Sequence, residues 1–372
     1  MSKKILVTGG AGFIGSHLVD LLLDRGYDVR VFDKLVEQVH NGAGPRYVPA
    51  DAEFVRGDVC DRDALKSALK GVDSVMHLAA EVGVGQSMYE ISRYVDANTG
   101  GTGVLLDILA NTDHNVSKIV VASSMSIYGE GKYVCVEHGD VAPSLRSEAQ
   151  LEAHDWELRC PVCARPVSGV PTSEDKPLRP TSVYAISKMD QELLCLSYGA
   201  AYGLDVTALR YFNAYGPRQS ISNPYTGVAA IFSGRLLNRR APLVFEDGEQ
   251  KRDFIHVRDV ARASIMALES SHASGEAINV GVGDPLTVNE VARSLAKQLN
   301  IDIEPEVTAK FRSGDIRHCY ADMTKANEIL GFAPEIGFED GMAELTEWLA
   351  TESAVDRIDE MRNELEKRGL AK

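Results

Sequence analysis

Tyr184-Ala-Ile-Ser-Lys188 sets a phenol and an ammonium four residues apart, and the run continues into Met-Asp-Gln-Glu-Leu-Leu, good helix formers. On a helix the two side chains share one face, one turn apart. An ammonium favours phenolate and can pull a Tyr pKa down towards neutrality, and a phenolate can take a proton from a substrate hydroxyl. A second Tyr-x-x-x-Lys, Tyr128-Gly-Glu-Gly-Lys132, holds two glycines and cannot form a steady helix. A further group is needed to hold the hydroxyl. Ser123-Ser124-Met125-Ser126, at the end of the apolar run Lys118–Ser123, supplies several candidates; the plain alternative is a serine-rich turn after a strand.

Near the N-terminus, Ile5–Val7 runs into Gly9-Gly10-Ala11-Gly12-Phe13-Ile14-Gly15, a G-x-x-G-x-x-G array that opens a helix. Such glycines let the backbone turn and approach a pyrophosphate, whose charge is stabilised by free N–H groups at the helix start. The following strand ends in Asp33, 18 residues after Gly15, where a carboxylate accepts ribose hydroxyls. Its charge would repel the extra phosphate of NADP, so the expected cofactor is NAD, whose positively charged nicotinamide also favours the phenolate and helps pull the Tyr pKa down. The neighbouring Lys34 tells weakly against this unless it is a solvated loop lysine. Asp58-Val59, after the third strand, is a candidate adenine contact, with a turn at Gly57-Asp58 as the alternative.

Cys135-x-x-His138 and Cys160-x-x-Cys163 form two ligand pairs separated by 21 residues. Three thiolates and an imidazole suit tetrahedral zinc, and four protein ligands make a structural rather than catalytic site. A redox Cys-x-x-Cys and unconnected loop thiols are the competing readings. Apolar material nearby is limited to Leu145, Leu151, Trp156 and Leu158, so a metal would supply order that a tiny core cannot. Lying between Ser124 and Tyr184, the module is expected at the substrate mouth as a lid.

The elements that must position these residues alternate. Ile5–Thr8, Asp28–Phe32, Glu53–Arg56, Ser74–Leu78 and Lys118–Ser123 read as strands, with helical spacing in Ile14–Arg25 and Ala64–Leu69 between them. Strands alternating with helices imply an α/β fold with a doubly wound parallel sheet of Rossmann type. The expected division is 1–130 with 173–220 as the NAD-binding domain, joined by a strand and helix from 243–262. Residues 131–172 form an inserted, zinc-knuckle-like Cys/His module. A smaller mixed α/β substrate lobe takes 221–242 and 263–350, and 351–372 is a charged, solvated helix or frayed tail.

Composition limits the function. Of 372 residues, 39 are Lys or Arg and 54 Asp or Glu, a net charge of −15 with no basic cluster, which argues against nucleic acid as a partner. No apolar run approaches the roughly 18 residues of a membrane span. Cys60, Cys195 and Cys319 read as solitary thiols of a reducing cytoplasm.

Taken together, the Gly9/Gly12/Gly15 loop, His77-Leu78-Ala79-Ala80, Asn98, Ser124, Tyr184/Lys188, Arg210-Tyr211-Phe-Asn213, Arg252-Asp-Phe-Ile-His and Arg312-Ser-Gly-Asp315 resemble the extended short-chain dehydrogenase/reductase family, and within it the nucleotide-sugar 4-epimerases. The resemblance implies a hydroxyl role in catalysis for Ser124 beside Tyr184 and Lys188. It implies cofactor contacts at Leu78, Ala79, Ala80, Asn98, Ser123 and Tyr211. Ser126 would touch the sugar, Asn213 the diphosphate, and Arg252, Arg312 and Asp315 the nucleotide. The implied chemistry removes the O4 proton and a C4 hydride, turns over a transient 4-keto sugar and returns the hydride to its other face. A homodimer through helices near Asn98–Ala110 and Tyr184–Tyr202 is implied as well.

The stretch Ser222-Asn223-Pro-Tyr-Thr-Gly and the cysteine-bearing insertion resemble bacterial enzymes acting on dTDP-6-deoxyhexoses. That implies dTDP-L-rhamnose converted to dTDP-6-deoxy-L-talose, with Asn223 a substrate contact. A 4,6-dehydratase of this family carries an Asp-Glu pair after the catalytic hydroxyl residue; Met125 and Ser126 stand there and offer no carboxylate. UDP-glucose or UDP-glucuronate epimerisation, decarboxylation of a nucleotide sugar and non-catalytic nucleotide sensing compete with the rhamnose reaction.

Overall fold

The computed structural model describes residues 2–312 and 314–371; Met1, Ser313 of the Arg-Ser-Gly-Asp run and Lys372 lie outside the described residues. Seven parallel strands form the main sheet in the order Ala277–Val280, Asp205–Tyr211, Lys118–Ser124, Ser74–His77, Lys4–Thr8, Asp28–Asp33, Glu53–Arg56. The order of winding reverses between Lys4–Thr8 and Ser74–His77, so a crevice opens at the carboxyl ends of these two strands.

Both faces are covered, which explains the near-continuous apolar strands. On one side the helices Phe13–Asp24 and Val257–Glu269 pack through Leu18, Val19, Leu22, Val260 and Ile265. On the other, Arg62–Ala68, Gly101–Asn111 and Val183–Tyr202 contribute Leu65, Leu105, Ile108, Leu109 and Cys195. All seven residues of Lys118–Ser124 are buried, so this central strand is the rigid stalk of Ser124.

Two segments depart from expectation. The seventh strand, Ala277–Val280, comes from the stretch assigned to the second lobe. The strand Lys251–His256 joins a separate sheet with Asn213–Tyr215, Pro285–Thr287 and His318–Cys319 instead. Within 243–262 the helix Val257–Glu269 packs on the first lobe, and Ile255 of the strand reaches the same core. The 351–372 tail is also not a solvated appendage. Its helix Ile358–Lys367 buries Ile358, Met361 and Leu365 against Leu243, with Tyr89 and Tyr225 alongside. The remainder of the second lobe is centred on Phe232, Leu236, Val291, Leu295, Met342 and Leu345.

The insertion is a three-stranded antiparallel sheet, Gly139–Val141, Lys132–Cys135 and Ser168–Val170. Its small core is Tyr133, Leu158 and Val167 with Cys135 and Cys160, whereas Leu145 is exposed. Buried charges fasten it to the second lobe. Arg317 donates to Glu157 Oε1 at 2.7 Å and to Asp247 Oδ1 at 2.6 Å, and Arg146 donates to Glu246 Oε2 at 2.7 Å. The Glu157 carboxyl is held down at about 2, first by its hydrogen bond to His318 and then by Arg317.

Removing Arg317 takes its cation from Asp247 while Glu157 keeps His318 and Glu246 keeps Arg146, and both Glu157 and Asp247 are partly exposed, so the cost is about 1–3 kcal/mol. Arg317→Met is therefore expected to lower the urea midpoint by an equivalent amount, with faster proteolysis inside 136–165; an unchanged midpoint would show that the network carries no stability.

Candidate active site

At the crevice lies a cavity of about 620 Å³ that runs from the glycine loop to the second lobe. Gly9, Gly12, Phe13, Ile14 and Gly15 line its first end, with Asp33, Asp58 and Val59 beside them. Gly9 has φ +71° and a Cβ there would come within 2.8 Å of Ala79 N, while one at Gly15 would collide with the Gly9 carbonyl. Gly12 caps the helix Phe13–Asp24 with no side-chain acceptor, so the first N–H groups are available to a phosphate. Leu78, Ala79, Ala80, Ser123 and Tyr211 also face the cavity.

Asp33 accepts hydrogen bonds from Ala11 N at 3.1 Å and Leu35 N at 2.8 Å, which fixes its carboxylate against the glycine loop. Lys34 is not the solvated loop lysine of the sequence reading. It is half-buried and pairs with Glu81 at 3.1 Å and Asp58 at 3.6 Å, so two carboxylates already match its charge. These residues fit a dinucleotide with free ribose hydroxyls.

Asn98 does not line the cavity. It sits in a π-helical turn, Val95–Gly100, and its amide accepts from Glu81 N at 2.7 Å and donates to Glu81 O and to Ser187 Oγ. It thereby fixes the loop after Ala80, which does line the cavity, and its π-turn is a local irregularity of the kind found near functional sites.

The reactive group forms where the central strand ends and the helix Val183–Tyr202 begins. Ser182 caps that helix by accepting from Ala185 N at 3.1 Å, so Tyr184 lies in its first turn and Lys188 one turn on. The Tyr184 ring stands edge-on to Tyr94, with centroids 6.4 Å apart. Ser126 donates to Ser124 Oγ at 2.9 Å, and Ser124, Ser126, Tyr184 and Lys188 share the cavity wall. The expected electrostatics need correction. Burial pushes the Tyr184 phenol up, opposed only by the Ser124 hydroxyl. Lys188 spends its ammonium on Gln191 Oε1 at 2.8 Å and is itself lowered to about 7 by burial.

Gln191 is a residue that sequence reasoning missed. It is buried one turn beyond Lys188 and donates to Thr102 Oγ1 at 2.9 Å, joining the lysine to the helix Gly101–Asn111. Its i,i+3 spacing from Lys188 was the available signal.

At the second end, Arg312 donates to Asp315 Oδ2 at 2.6 Å, and Arg252 comes within 3.6 Å of Asp315 Oδ1. Burial raises the Asp315 carboxyl, but the two guanidinium groups outweigh it and hold it below the usual range. Arg312 also lies 4.8 Å above the Phe245 ring, an aromatic wall that the sequence reading passed over. Asn213 lines the same space with Oδ1 unpartnered, leaving its amide free for a ligand. Asn223 faces the cavity too, but its Oδ1 already accepts from Gln38 Nε2 and Tyr225 N.

In the insertion, the ligand atoms of Cys135, His138, Cys160 and Cys163 all lie within 4.8 Å of one another. Cys135 Sγ is 3.5 Å from His138 Nδ1 and 3.7 Å from Cys163 Sγ, and Cys160 Sγ is 3.7 Å from His138 Nδ1. Zinc bonds of about 2.3 Å to sulfur and about 2.0 Å to nitrogen require tetrahedral edges of about 3.5–3.8 Å. The donor set fits. No described residue of 131–172 lines the cavity, so the lid expected there is not found.

The Lys188 shift has a sign that solution measurements can test. The unfolded chain keeps an ordinary lysine pKa and so binds the extra proton between about 7 and that range, where stability must rise with pH. Below about 7 both states are protonated and the full burial penalty remains. Relative to Lys188→Met, the wild-type chain should gain stability from about pH 6 to about pH 9.5 in urea unfolding. Parallel profiles would refute the buried, depressed lysine.

Comparison with known proteins agrees with this geometry. The chain matches the NAD dependent epimerase/dehydratase family over residues 5–147 and 161–281, and the unmatched stretch between them falls inside the insertion. A dTDP-L-rhamnose 4-epimerase of Burkholderia thailandensis is 36% identical over 354 residues, covering 94% of this chain and 96% of that protein. A putative UDP-glucose 4-epimerase of Methanocaldococcus jannaschii is 34% identical, covering 93% and 98%. Among solved structures, the UDP-glucose 4-epimerase of Thermotoga maritima with UDP-glucose is similar at TM-score 0.76 and 32% identity, over 94% of this chain and 99% of that one. With the family match running on both sides of the insertion and these identities holding over nearly the whole length, the chain belongs to the NAD dependent epimerase/dehydratase family.

Proposed function

We propose that the protein epimerises a nucleotide-diphosphate sugar at C4, with dTDP-L-rhamnose to dTDP-6-deoxy-L-talose the preferred reaction. The observation that carries the reaction class is the shared wall of Ser124, Tyr184 and Lys188 with no carboxylate at the next two positions. Met125 is buried, Ser126 is bonded to Ser124, and Glu81 on the neighbouring loop is taken by Lys34 and Arg93. Dehydration needs an acid and a base at C5 and C6, which Met125 and Ser126 do not supply.

In this reading Gly9 to Gly15, Asp33 and Asp58 hold NAD, which when bound supplies a hydride acceptor and donor for sugar C4. Ser124 holds the O4 hydroxyl and Tyr184 takes its proton, then gives one back after the sugar has turned. A bound cation near the ring draws the phenol down from the raised value that burial imposes. Arg252 and Arg312 orient the nucleotide and Asn213 the diphosphate, since guanidinium and amide donors suit phosphate oxygens. Preference for a 6-deoxy sugar is supported by Val82, Val84 and Met88, apolar side chains that face the cavity while 38–55% exposed. The Burkholderia relative acts on the same substrate class by name.

Zinc in the Cys135, His138, Cys160, Cys163 cluster belongs to this reading as a structural staple. So does a homodimer. Ile186, Leu193 and Leu194 recur at helical spacing on Val183–Tyr202, and with Ile91 and Val95 on the adjacent helical turns they leave an exposed apolar face. The solitary thiols Cys60, Cys195 and Cys319 suit a reducing cytoplasm.

Proton NMR of the purified protein with dTDP-L-rhamnose, UDP-glucose, UDP-glucuronate and dTDP-glucose should show a new anomeric signal with the first. Release of carbon dioxide or a persistent 4-keto product would transfer the assignment to another reaction. Tyr184→Phe should cost at least about 10²–10⁴ in kcat with nucleotide binding kept, whereas a sensor would be unaffected. Metal analysis should return one zinc per chain. Replacing Cys160 and Cys163 with Ser should abolish it and lower Tm, and an unchanged Tm with no metal in the native protein would refute the staple.

A further inference from the structure

The charge-rich C-terminus is built into the wall of the cavity. Ile358, Met361 and Leu365 of the helix Ile358–Lys367, with Leu370 beyond it, line the same space as Tyr184 and Asn213. They are spaced as one narrow stripe on an otherwise charged helix, so the apolar face looks inward and the charges outward.

The segment reaches both ends of the ligand space. At the nucleotide end, Ala371 forms an antiparallel bridge with Arg312, the residue whose guanidinium holds Asp315. Lys310, two residues before it, pairs with Glu366 at 2.7 Å. At the sugar end, Leu365 packs 3.6 Å from where a Cβ on Gly85 would stand, beside the loop that carries Val82 and Val84. Arg368 lies 4.3 Å above the Tyr89 ring, and Tyr89 is bonded to Tyr225.

The buried pair of Arg235 with Asp356 at 3.5 Å anchors the root of the segment. Beyond the root its ion pairs are partly exposed, Arg240 with Asp359 at 2.9 Å and Lys310 with Glu366 at 2.7 Å. Exposed pairs of this kind add little stability, and a helix of ten residues does not persist without its packing. Such an element opens locally at far lower cost than the sheet.

We infer that residues 356–371 form a strap that swings away to admit the nucleotide sugar and closes over it, with Met361 and Leu365 completing the wall against the bound ligand. The inference rests on the nucleotide-sugar reading. It also assigns specificity: the strap bears on the ligand through apolar side chains, so it favours a base and sugar that present apolar surface there. The insertion, by contrast, has no part in closure.

Hydrogen exchange on the full chain, with dTDP as the probe and its binding followed by calorimetry, tests this. Saturating dTDP should slow exchange of the amides in 358–370 by about tenfold or more, because a ligand shifts an opening equilibrium by its differential affinity. The helix Phe338–Leu349, away from the cavity, should not change and serves as the control. Met361→Ala should raise the dTDP Kd, and Leu365→Ala the Kd of dTDP-L-rhamnose measured in a Tyr184→Phe background, each by several-fold to about tenfold while leaving Tm nearly unchanged, a loss of about 1 kcal/mol or slightly more. Binding of dTDP with no slowing in 358–370, or with unchanged Kd in both variants, overturns the strap and leaves the function standing. Absence of any dTDP or UDP binding overturns both.

Discussion

The buried pair between Arg210 and Glu192 determines where the chemistry can occur. Arg210, in the strand Asp205–Tyr211, donates at 2.6 Å to Glu192, two turns beyond Tyr184 on its helix. The same guanidinium donates to the Tyr128 hydroxyl at 2.8 Å, in the short turn that follows Ser124. One cation thus ties the helix carrying Tyr184 and Lys188 to the strand end carrying Ser124. A charge this deeply buried is stable only when its partners are in place, so it enforces their arrangement more than it adds to net stability. The glycine loop, the Asn98 turn and the Gln191 link are then arranged around a junction already fixed.

Much of this frame was readable from residue patterns. Near-continuous apolar runs marked Lys118–Ser123 and Ser74–Leu78 because a parallel sheet covered on both faces wants them, and the helix from Tyr184 to Tyr202 followed from its formers. Ala277–Val280 escaped because four residues with Asn279 among them carry little periodicity of their own, although the helix Val257–Glu269 precedes them as the crossover. Within the site, the reactive residues were visible through their types and spacing. Their electrostatics were not, since the direction in which Tyr184 and Lys188 shift depends on burial by distant elements. The bonds of Asn98 to Glu81 across a π-turn were hidden for a similar reason, since such a turn leaves no mark on composition.

The two peripheral segments exchanged their expected roles. The insertion, placed in the chain between Ser124 and Tyr184, suggested a cover, yet none of its described residues reaches the cavity. The C-terminus, dismissed for its charges, supplies four side chains to the cavity wall. Proximity in sequence misled in the first case. In the second, three apolar residues on one stripe outweighed a majority of charged ones, because burial is decided face by face and not by average hydropathy.

The insertion's own ends explain how it can sit between two reactive residues without disturbing them. Lys132 pairs with Val170, and Lys132 N donates to Thr172 Oγ1 at 3.0 Å, so the chain leaves the host and returns at nearly the same point. The loop that the host must close between its strand and its helix is therefore only the flanking residues 125–131 and 171–182, however long the excursion. Closure entropy grows slowly with length in any case. A change of length in the module away from Arg146 and Glu157, which tie it to the second lobe, therefore leaves the spacing of Ser124 and Tyr184 as it is.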